Sequence, residues 1–178
     1  MNPPPVYHKA LVALHWLLAV LLAVALIMGS TQLVSIPNSS PDKIFALRAH
    51  MIAGSLILLL TVVRLLVRLN TAKPAPASTG NPLLDRLGRL THVLLYLLVF
   101  AMAGSGIAMA IQANLPAAVF KLSAALPGSF EHLAPRQAHG YIAKALIALI
   151  VLHIAAALYH QFVRKDGLLR RMSWRKDG

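Results

Sequence analysis

The sequence predicts an all-α integral membrane protein in which one domain, residues 1–178, folds as a four-helix bundle. Hydrophobic residues make up 58% of the chain and charged residues only 12%, a balance too apolar for an ordinary soluble domain. Four runs are also long enough to cross a hydrocarbon core of roughly 30 Å, which takes about 20 apolar residues. The predicted helices cover residues 11–30, 46–69, 87–112 and 139–163, with ends placed approximately.

The first run has features of both a secretory signal and a membrane span. Lys9 precedes an apolar stretch that ends in small residues, as in a signal. However, the stretch is longer than the usual apolar core of a signal and contains His15 and Trp16. We therefore expect a membrane span, with Trp16 and Trp174 as anchors at the membrane surface.

The distribution of Lys and Arg predicts that both termini lie in the cytoplasm. Twelve of these residues lie in or beside the N-terminus, the connection between the second and third spans, and the C-terminal tail. Four lie on the other side of the membrane: Lys43, Arg48, Lys121 and Arg136. An excess of Lys and Arg in short loops marks the cytoplasmic side.

Charge and cysteine content exclude several functions. The net charge of +12 does not indicate nucleic-acid binding, because the charges flank membrane spans instead of forming a basic face with stacking aromatic residues. The chain has no cysteine, which excludes disulfides, iron–sulfur clusters, thiolate ligation and covalent haem attachment. Any haem must be held without covalent bonds, through His or Met.

The histidines are the candidate ligands of such a haem. Of eight histidines, His15 and His153 fall on the cytoplasmic side of the spans, and His50 and His139 fall on the outer side. His139 and His153 are fourteen residues apart on one helix, which corresponds to a rise of roughly 21 Å and a difference of about 40° around the axis. Paired histidines from facing helices give a six-coordinate b-type haem suited to electron transfer. The sequence therefore predicts two non-covalent b haems in the bundle core.

Small residues accompany these four histidines. A porphyrin lying against a helix needs a small side chain one turn from its ligand. The residues four positions after the candidate ligands are all Ala or Gly: Ala19, Gly54, Ala143 and Ala157. The pattern supports the haem hypothesis.

Other assignments remain open. His92 or His160 lies deep enough to replace a cytoplasmic-side ligand. Two alternatives to haem ligation are that the histidines only hydrogen-bond between helices, or that they hold zinc or copper, although such metal sites need ligands that converge on one point. Arg64 and Arg68, one turn apart at the cytoplasmic end of the second span, either extend toward water to set the topology or pair with haem propionates.

Two other segments are expected to have packing or surface roles. Residues Gly104, Ser105 and Gly106 in the third span are expected to allow close helix packing. Residues 117–126, AAVFKLSAAL, are expected to form a short amphipathic helix lying on the membrane surface.

Several motifs resemble the bacterial cytochrome b561 family, including its superoxide:ubiquinone oxidoreductase members. They are HWLLAV, RAHMIAGSLILLLTVVRLLVRL, LTHVLLYLL, HGYIAKALIALIVLHIAAALYH and KDGLLRRM. The resemblance covers nearly the whole chain and is weakest in the outer loops. It implies a bacterial inner-membrane bundle with His15 and His153 on the cytoplasmic haem, and His50 and His139 on the outer haem.

The resemblance also implies an activity, in which electrons pass from superoxide at the outer surface through both haems to ubiquinone near the cytoplasm. Superoxide is an anion, and cations on the outer side would attract it. The candidates are Arg48, Lys43, Lys121 and Arg136. His160 is the preferred quinone-binding residue, beside Tyr159 and opposite the region that contains Arg64, Arg68 and His92.

Two other functions are compatible with the same sequence. The first is an electron-transfer cytochrome b subunit that anchors a dehydrogenase or hydrogenase. The short loops offer little surface for such a partner, so no obligatory protein partner is expected beyond lipid, ubiquinone and superoxide. The second is a histidine-lined transporter of metal ions or protons, which would contain no haem.

Overall fold

The computed structural model describes residues 6–76, 79–121 and 123–173, and its main elements are four long helices. Helix α1 covers Lys9–Ser30, α2 covers Pro41–Asn70, α3 covers Pro82–Gln112 and α4 covers Ala134–Tyr159. Each is long and apolar enough to cross a membrane. The four predicted spans are therefore confirmed. Trp174 lies outside the described residues.

Three helices begin about five residues earlier than the apolar pattern predicted, at Pro41, Pro82 and Ala134. Two of these early starts have side-chain caps. The Ser40 hydroxyl accepts a hydrogen bond from the Asp42 amide, and the Asn81 side chain accepts one from the Leu83 amide. Proline in the first turn suits a helix start because that position needs no amide donor. The apolar pattern marks only the part of each helix inside the membrane, so it misses these polar first turns.

The helices pack mainly in two pairs, α1 along α2 and α3 along α4, and α2 also contacts α3. Each helix contributes one residue to a buried cluster at mid-height, which comprises Leu18, Ile57, Val99 and Leu146. Many other large apolar side chains are exposed, as expected for surfaces that face lipid tails. The bundle core is thus small, and the candidate ligands lie above and below this central layer.

The described stretches nearest to the two termini, residues 6–8 and 165–173, lie together at one end of the bundle, which we call the termini end. There the chain leaves α4 through a π-helical turn at His160–Arg164, passes left-handed Lys165 and Gly167, and forms a 3₁₀ turn at Leu168–Met172. We call residues 165–173 the C-terminal strap.

The C-terminal strap is hydrogen-bonded to the start of α1 and to the connection between α2 and α3. The Trp16 indole donates to the Met172 carbonyl at 2.9 Å, and the Tyr7 amide donates to the Arg171 carbonyl at 3.2 Å. The Arg171 guanidinium donates to the Ala75 carbonyl at 2.6 Å. These bonds fasten the C-terminal strap across the termini end of the bundle.

The opposite end of the bundle is closed by the connection between α3 and α4. A π-helical turn at Ala117–Lys121 buries Val119 against Leu47, Leu115 and Phe130. The expectation of an amphipathic helix lying on the membrane surface is wrong for this turn, because Ala118 and Val119 are 1% and 0% exposed. Their apolar side chains are instead buried between the helix ends, where Val119 packs against Leu47, Leu115 and Phe130.

Candidate functional site

His50 of α2 and His139 of α4 face each other near the opposite end of the bundle. Their ring centres are 6.1 Å apart and their planes are inclined by 74°. The His139 Nδ1 atom lies 2.9 Å from the Ser105 hydroxyl of α3. The His50 Nδ1 atom is buried and has no hydrogen-bond partner, although a buried imidazole nitrogen normally has one.

Glycines make room for this pair of rings. A Cβ atom at Gly29 of α1 would lie 3.3 Å from His50 Cε1, and one at Gly106 of α3 would lie 3.5 Å from His139 Cε1. At Gly54, one turn along α2 from His50, a Cβ atom would meet nothing within 4 Å. The backbone thus approaches both rings closely and leaves open space one turn below His50.

His15 of α1 and His153 of α4 form the corresponding pair at the termini end. Their ring centres are 6.3 Å apart and their planes are inclined by 75°. His92 of α3 is also close, with its ring centre 5.4 Å from that of His153. The His92 Nδ1 atom donates a hydrogen bond to the Gly88 carbonyl at 2.7 Å.

These distances fit a metal that is shared by two imidazoles on opposite sides. A metal–imidazole bond of about 2.0–2.1 Å, with the nitrogen roughly 1.1 Å from the ring centre, places two such ring centres about 6.3 Å apart. The pairs at 6.1 Å and 6.3 Å match this value, whereas His92 and His153 at 5.4 Å are closer. The histidines, the neighbouring glycines and the unpartnered His50 nitrogen therefore fit residues that would hold a haem through imidazole nitrogens.

A compact metal cage is a poorer fit. Among residues 6–76, 79–121 and 123–173, no three His, Cys, Asp or Glu side chains converge as ligands for one metal ion. Zinc sites that are held by protein need such convergence. The histidines instead form one pair toward each end of the bundle, so they do not provide the three or more converging ligands of a zinc or copper site.

Arg64 lies inside the bundle near the termini-end pair. The residue is 8% exposed, and its guanidinium donates to the Leu11 carbonyl of α1. It also acts electrostatically on His15 and lies next to Tyr96. Arg68, one turn further along α2, is half-buried and close to His92. An Arg side chain that only sets topology would extend toward water, which Arg64 does not do.

His160 lies at the termini end and contacts the C-terminal strap. Its Nδ1 atom is 2.5 Å from the Asp166 carboxylate, which also lies 3.6 Å from Arg164 Nε. Burial tends to raise the pKa of Asp166. The hydrogen bonds from His160 and the Leu168 amide, together with the Arg164 charge, outweigh burial and hold this pKa below its ordinary value. The Tyr159 ring lies beside His160, with ring centres 6.0 Å apart.

Two of the four cations at the opposite end of the bundle bind carbonyl groups. The buried Lys43 ammonium donates to the Leu33 and Ile36 carbonyls, in the connection between α1 and α2. Arg48 donates two hydrogen bonds to the Val119 carbonyl, at 3.1 Å and 2.6 Å. Both side chains therefore fasten loops at the opposite end of the bundle.

The other two cations at that end are Arg136 and Lys121. Arg136 forms an ion pair of 3.4 Å with Glu131 and retains 26% of its side-chain exposure. Lys121 is exposed at the end of the π-helical turn. Arg136 also acts electrostatically on both Lys43 and His139, so positive charge is concentrated close to the opposite-end pair.

Sequence reasoning missed two residues of the site. Ser105 was expected only to allow close helix packing, and no role was assigned to Asp166. Ser105 contacts a candidate ligand from another helix, which no pattern within α3 could reveal. Asp166 follows His160 by six residues, and only the chain reversal through left-handed Lys165 and Gly167 brings the two side chains together.

Comparisons with known proteins identify the family of the chain. The family described as "Prokaryotic cytochrome b561" matches residues 6–175. "Cytochrome b561 homolog 2" of Escherichia coli K12 is 30% identical over 176 residues, which cover 96% of this chain and 93% of that protein.

Two further relatives match over nearly the full length of both chains. "Probable superoxide oxidase CybB" of Yersinia pestis is 30% identical over 97% of this chain and 98% of that protein. "Cytochrome b562" of Cereibacter sphaeroides is 28% identical over 97% of this chain and 98% of that protein. This chain belongs to the prokaryotic cytochrome b561 family, and it is a bacterial membrane protein of electron transfer, an oxidoreductase, for which the family implies b-type haem.

Proposed function

We propose that this protein is a superoxide:ubiquinone oxidoreductase that binds two b-type haems and passes electrons across the bacterial inner membrane. The observation that carries the proposal is the presence of two histidine pairs, at 6.1 Å and 6.3 Å, toward opposite ends of one bundle. The Yersinia pestis relative named probable superoxide oxidase supports superoxide as the electron donor.

His50 and His139 would hold one haem, and His15 and His153 would hold the other. A haem with two histidine ligands supplies reversible one-electron transfer. The protein residues hold the ligands in place, since Gly29 and Gly106 approach the opposite-end rings closely. Arg64, buried beside His15, would pair with an acidic group at the termini end, and Arg68 would assist from the next turn.

Superoxide would be oxidised at the opposite end of the bundle, which we assign to the outer side of the membrane. Two superoxide anions give two molecules of oxygen and two electrons. Lys121, which is exposed, and Arg136, whose side chain is 26% exposed, would raise the local concentration of the anion there. Lys43 and Arg48 would add positive charge at the same end of the bundle, although their side chains are hydrogen-bonded to the Ile36 and Val119 carbonyls.

Ubiquinone would be reduced at the termini end, where it takes up two electrons and two protons to give ubiquinol. His160 is the residue we assign to the quinone, because its imidazole is a titratable group at the membrane edge with Asp166 as an acidic partner. His92, with its Nδ1 hydrogen directed at Gly88, is the second candidate to bind a quinone oxygen.

The Lys and Arg residues support the orientation that this reaction needs. In the sequence, twelve lie in or beside the N-terminus, the connection between α2 and α3 and the C-terminal tail, and four lie on the other side of the spans. By the positive-inside rule this excess supports a cytoplasmic location for both termini. Protons for ubiquinol would then come from the cytoplasm, while electrons enter from the outer side. The reaction would therefore move charge across the membrane.

Stopped-flow mixing of the purified oxidised protein with superoxide and a soluble ubiquinone tests the proposal. We expect haem reduction by superoxide, ubiquinol formation, and a rate that falls as salt is raised. Lys121→Gln with Arg136→Gln should slow the reduction several-fold, whereas Arg86→Gln, which removes a cation at the termini end, should not.

The contrary results are equally specific. Haem reduction no faster than in free haem, and unaffected by salt or by the paired outer variants, would reject superoxide as the donor. If such a preparation instead copurified with a dehydrogenase or hydrogenase that reduced its haems, the role as an anchoring electron-transfer subunit would replace the oxidoreductase.

A further inference from the structure

Ser105 makes a directional hydrogen bond to a candidate haem ligand. The serine hydroxyl has one hydrogen, which it donates to the Met102 carbonyl of its own helix at 2.9 Å. The His139 Nδ1 atom lies 2.9 Å from the same hydroxyl oxygen. With the hydroxyl hydrogen directed at Met102, the oxygen has lone pairs free and accepts a hydrogen bond from Nδ1–H of His139.

This bond fixes the tautomer of His139. A neutral imidazole carries its hydrogen on one nitrogen, so a hydrogen on Nδ1 leaves the lone pair on Nε2. The Nε2 lone pair would then be the one that could bind the iron of a haem held together with His50. Gly106 contacts the same ring, since a Cβ there would lie 3.5 Å from Cε1 and 3.7 Å from Nδ1. Ser105 and Gly106 together therefore set the ring's tautomer and orientation.

The two histidines of this pair have different surroundings. His139 Nδ1 has a hydroxyl partner, whereas His50 Nδ1 is buried without one. A hydrogen bond accepted from Nδ1–H increases the basicity of the imidazole and strengthens its donation to a metal. Stronger donation stabilises the oxidised metal more than the reduced one. The Ser105 bond should thus affect the electron affinity of a haem held at this end.

We propose that Ser105 is a positioning residue for the outer haem, which fixes His139 as the Nδ1–H tautomer and lowers the reduction potential of that haem relative to a site without the bond. The inference rests on the proposed assignment of His50 and His139 as ligands. It gives the second residue of the Gly104–Ser105–Gly106 stretch a role beyond helix packing.

The test is an optical redox titration of the full-length purified protein with its haems. Ser105→Ala should raise the midpoint potential of one titration component and leave the other unchanged. Ser105→Thr should keep the wild-type midpoints, because a helical threonine hydroxyl can make the same bond to a carbonyl one turn earlier. Ser55→Ala, at an exposed serine of α2, is the matched control and should change neither component.

Each alternative outcome has a defined meaning. If Ser105→Ala retains both haems with unchanged midpoints, the proposal is overturned. If Ser105→Ala loses one haem while Ser105→Thr keeps both at wild-type midpoints, the hydroxyl positions the ligand as proposed. If Ser105→Ala and Ser105→Thr each lose a haem, the site requires a side chain of the size of serine and not its hydroxyl group, and the proposal is overturned.

His139→Ala separates this inference from the proposed function. This variant should lack the component that Ser105→Ala shifts. If His139→Ala keeps both haems, the ligand assignment itself fails. If it loses one haem and Ser105→Ala shifts nothing, only the role of Ser105 fails.

Discussion

The Arg64 guanidinium of α2 donates a hydrogen bond to the Leu11 carbonyl of α1, one turn before His15. This contact places a buried positive charge beside the termini-end histidines and joins the two helices that pack along each other. A buried charge normally has an opposite charge nearby. Within the part of the chain that the structure describes, Arg64 forms no ion pair with a carboxylate.

A bound acidic group would supply the missing partner of Arg64. We expect Arg64→Gln to lower the midpoint potential of the termini-end haem by tens of millivolts, because a nearby positive charge favours the reduced form. Redox titration measures the shift. Arg89→Gln, at an exposed arginine of α3, is the control. Unchanged midpoints in Arg64→Gln, together with an inverted or mixed orientation of the termini, would assign Arg64 to topology alone.

Gly29 should be essential for the haem that we propose at His50 and His139. A side chain there would press on the His50 ring, since even a Cβ atom would lie 3.3 Å from Cε1. Gly29→Val is therefore expected to lose one of the two haems while the other keeps its midpoint. Haem content per protein and redox titration measure both effects.

Gly88→Ala provides the matched control for Gly29→Val, because a Cβ atom at this exposed glycine of α3 meets nothing within 4 Å. It should retain both haems. Two haems with normal midpoints in Gly29→Val would show that the outer pair does not depend on this close approach.

The C-terminal strap should loosen in acid. The pKa of Asp166 is lowered in the folded protein. Its contacts with His160 and Leu168 therefore stabilise the strap above the ordinary Asp pKa of 3.8, and this contribution is lost as the pH falls through the lower folded value. The protection of the Leu168 and Arg170 amides from hydrogen exchange should therefore fall as the pH is lowered from 3.8 through the folded pKa of Asp166.

Asp166→Asn should remove most of this acid dependence, and it should raise the KM for ubiquinone if His160 binds the quinone with Asp166 as its partner. Asp42→Asn, at an exposed carboxylate of the opposite end, should leave both properties unchanged. Exchange at Leu168 with the same pH profile in wild type and Asp166→Asn would contradict this role for the carboxylate.

The sequence was sufficient for the overall architecture because membrane burial requires long apolar runs and short polar connections. The four spans follow directly from this requirement, and the facing of His139 and His153 follows from helical periodicity. The early starts of α2 and α3 were not evident, because Ser40 and Asn81 stabilise helix ends by local bonds outside the apolar pattern.

The contacts between elements could not be derived from sequence patterns. Lys43 was expected at the outer surface, yet its ammonium reaches back to the Leu33 carbonyl in the preceding loop. Val119 was expected at the membrane surface, yet it fills the opposite end of the bundle. Each outcome depends on how a loop packs against the ends of the helices. Residue types and helical periodicity, which the sequence alone provides, do not determine these tertiary contacts.

The central claim is that His15 with His153 and His50 with His139 each hold one haem. Haem content per protein, measured together with the reduced optical spectrum, tests the claim directly in four single variants, each with one of these histidines replaced by Ala. His132→Ala, at an exposed histidine of the connection between α3 and α4, is the control. We predict two haems in the wild type and the control, and one haem in each ligand variant. Two haems retained in any of the four variants would contradict the assignment of that histidine.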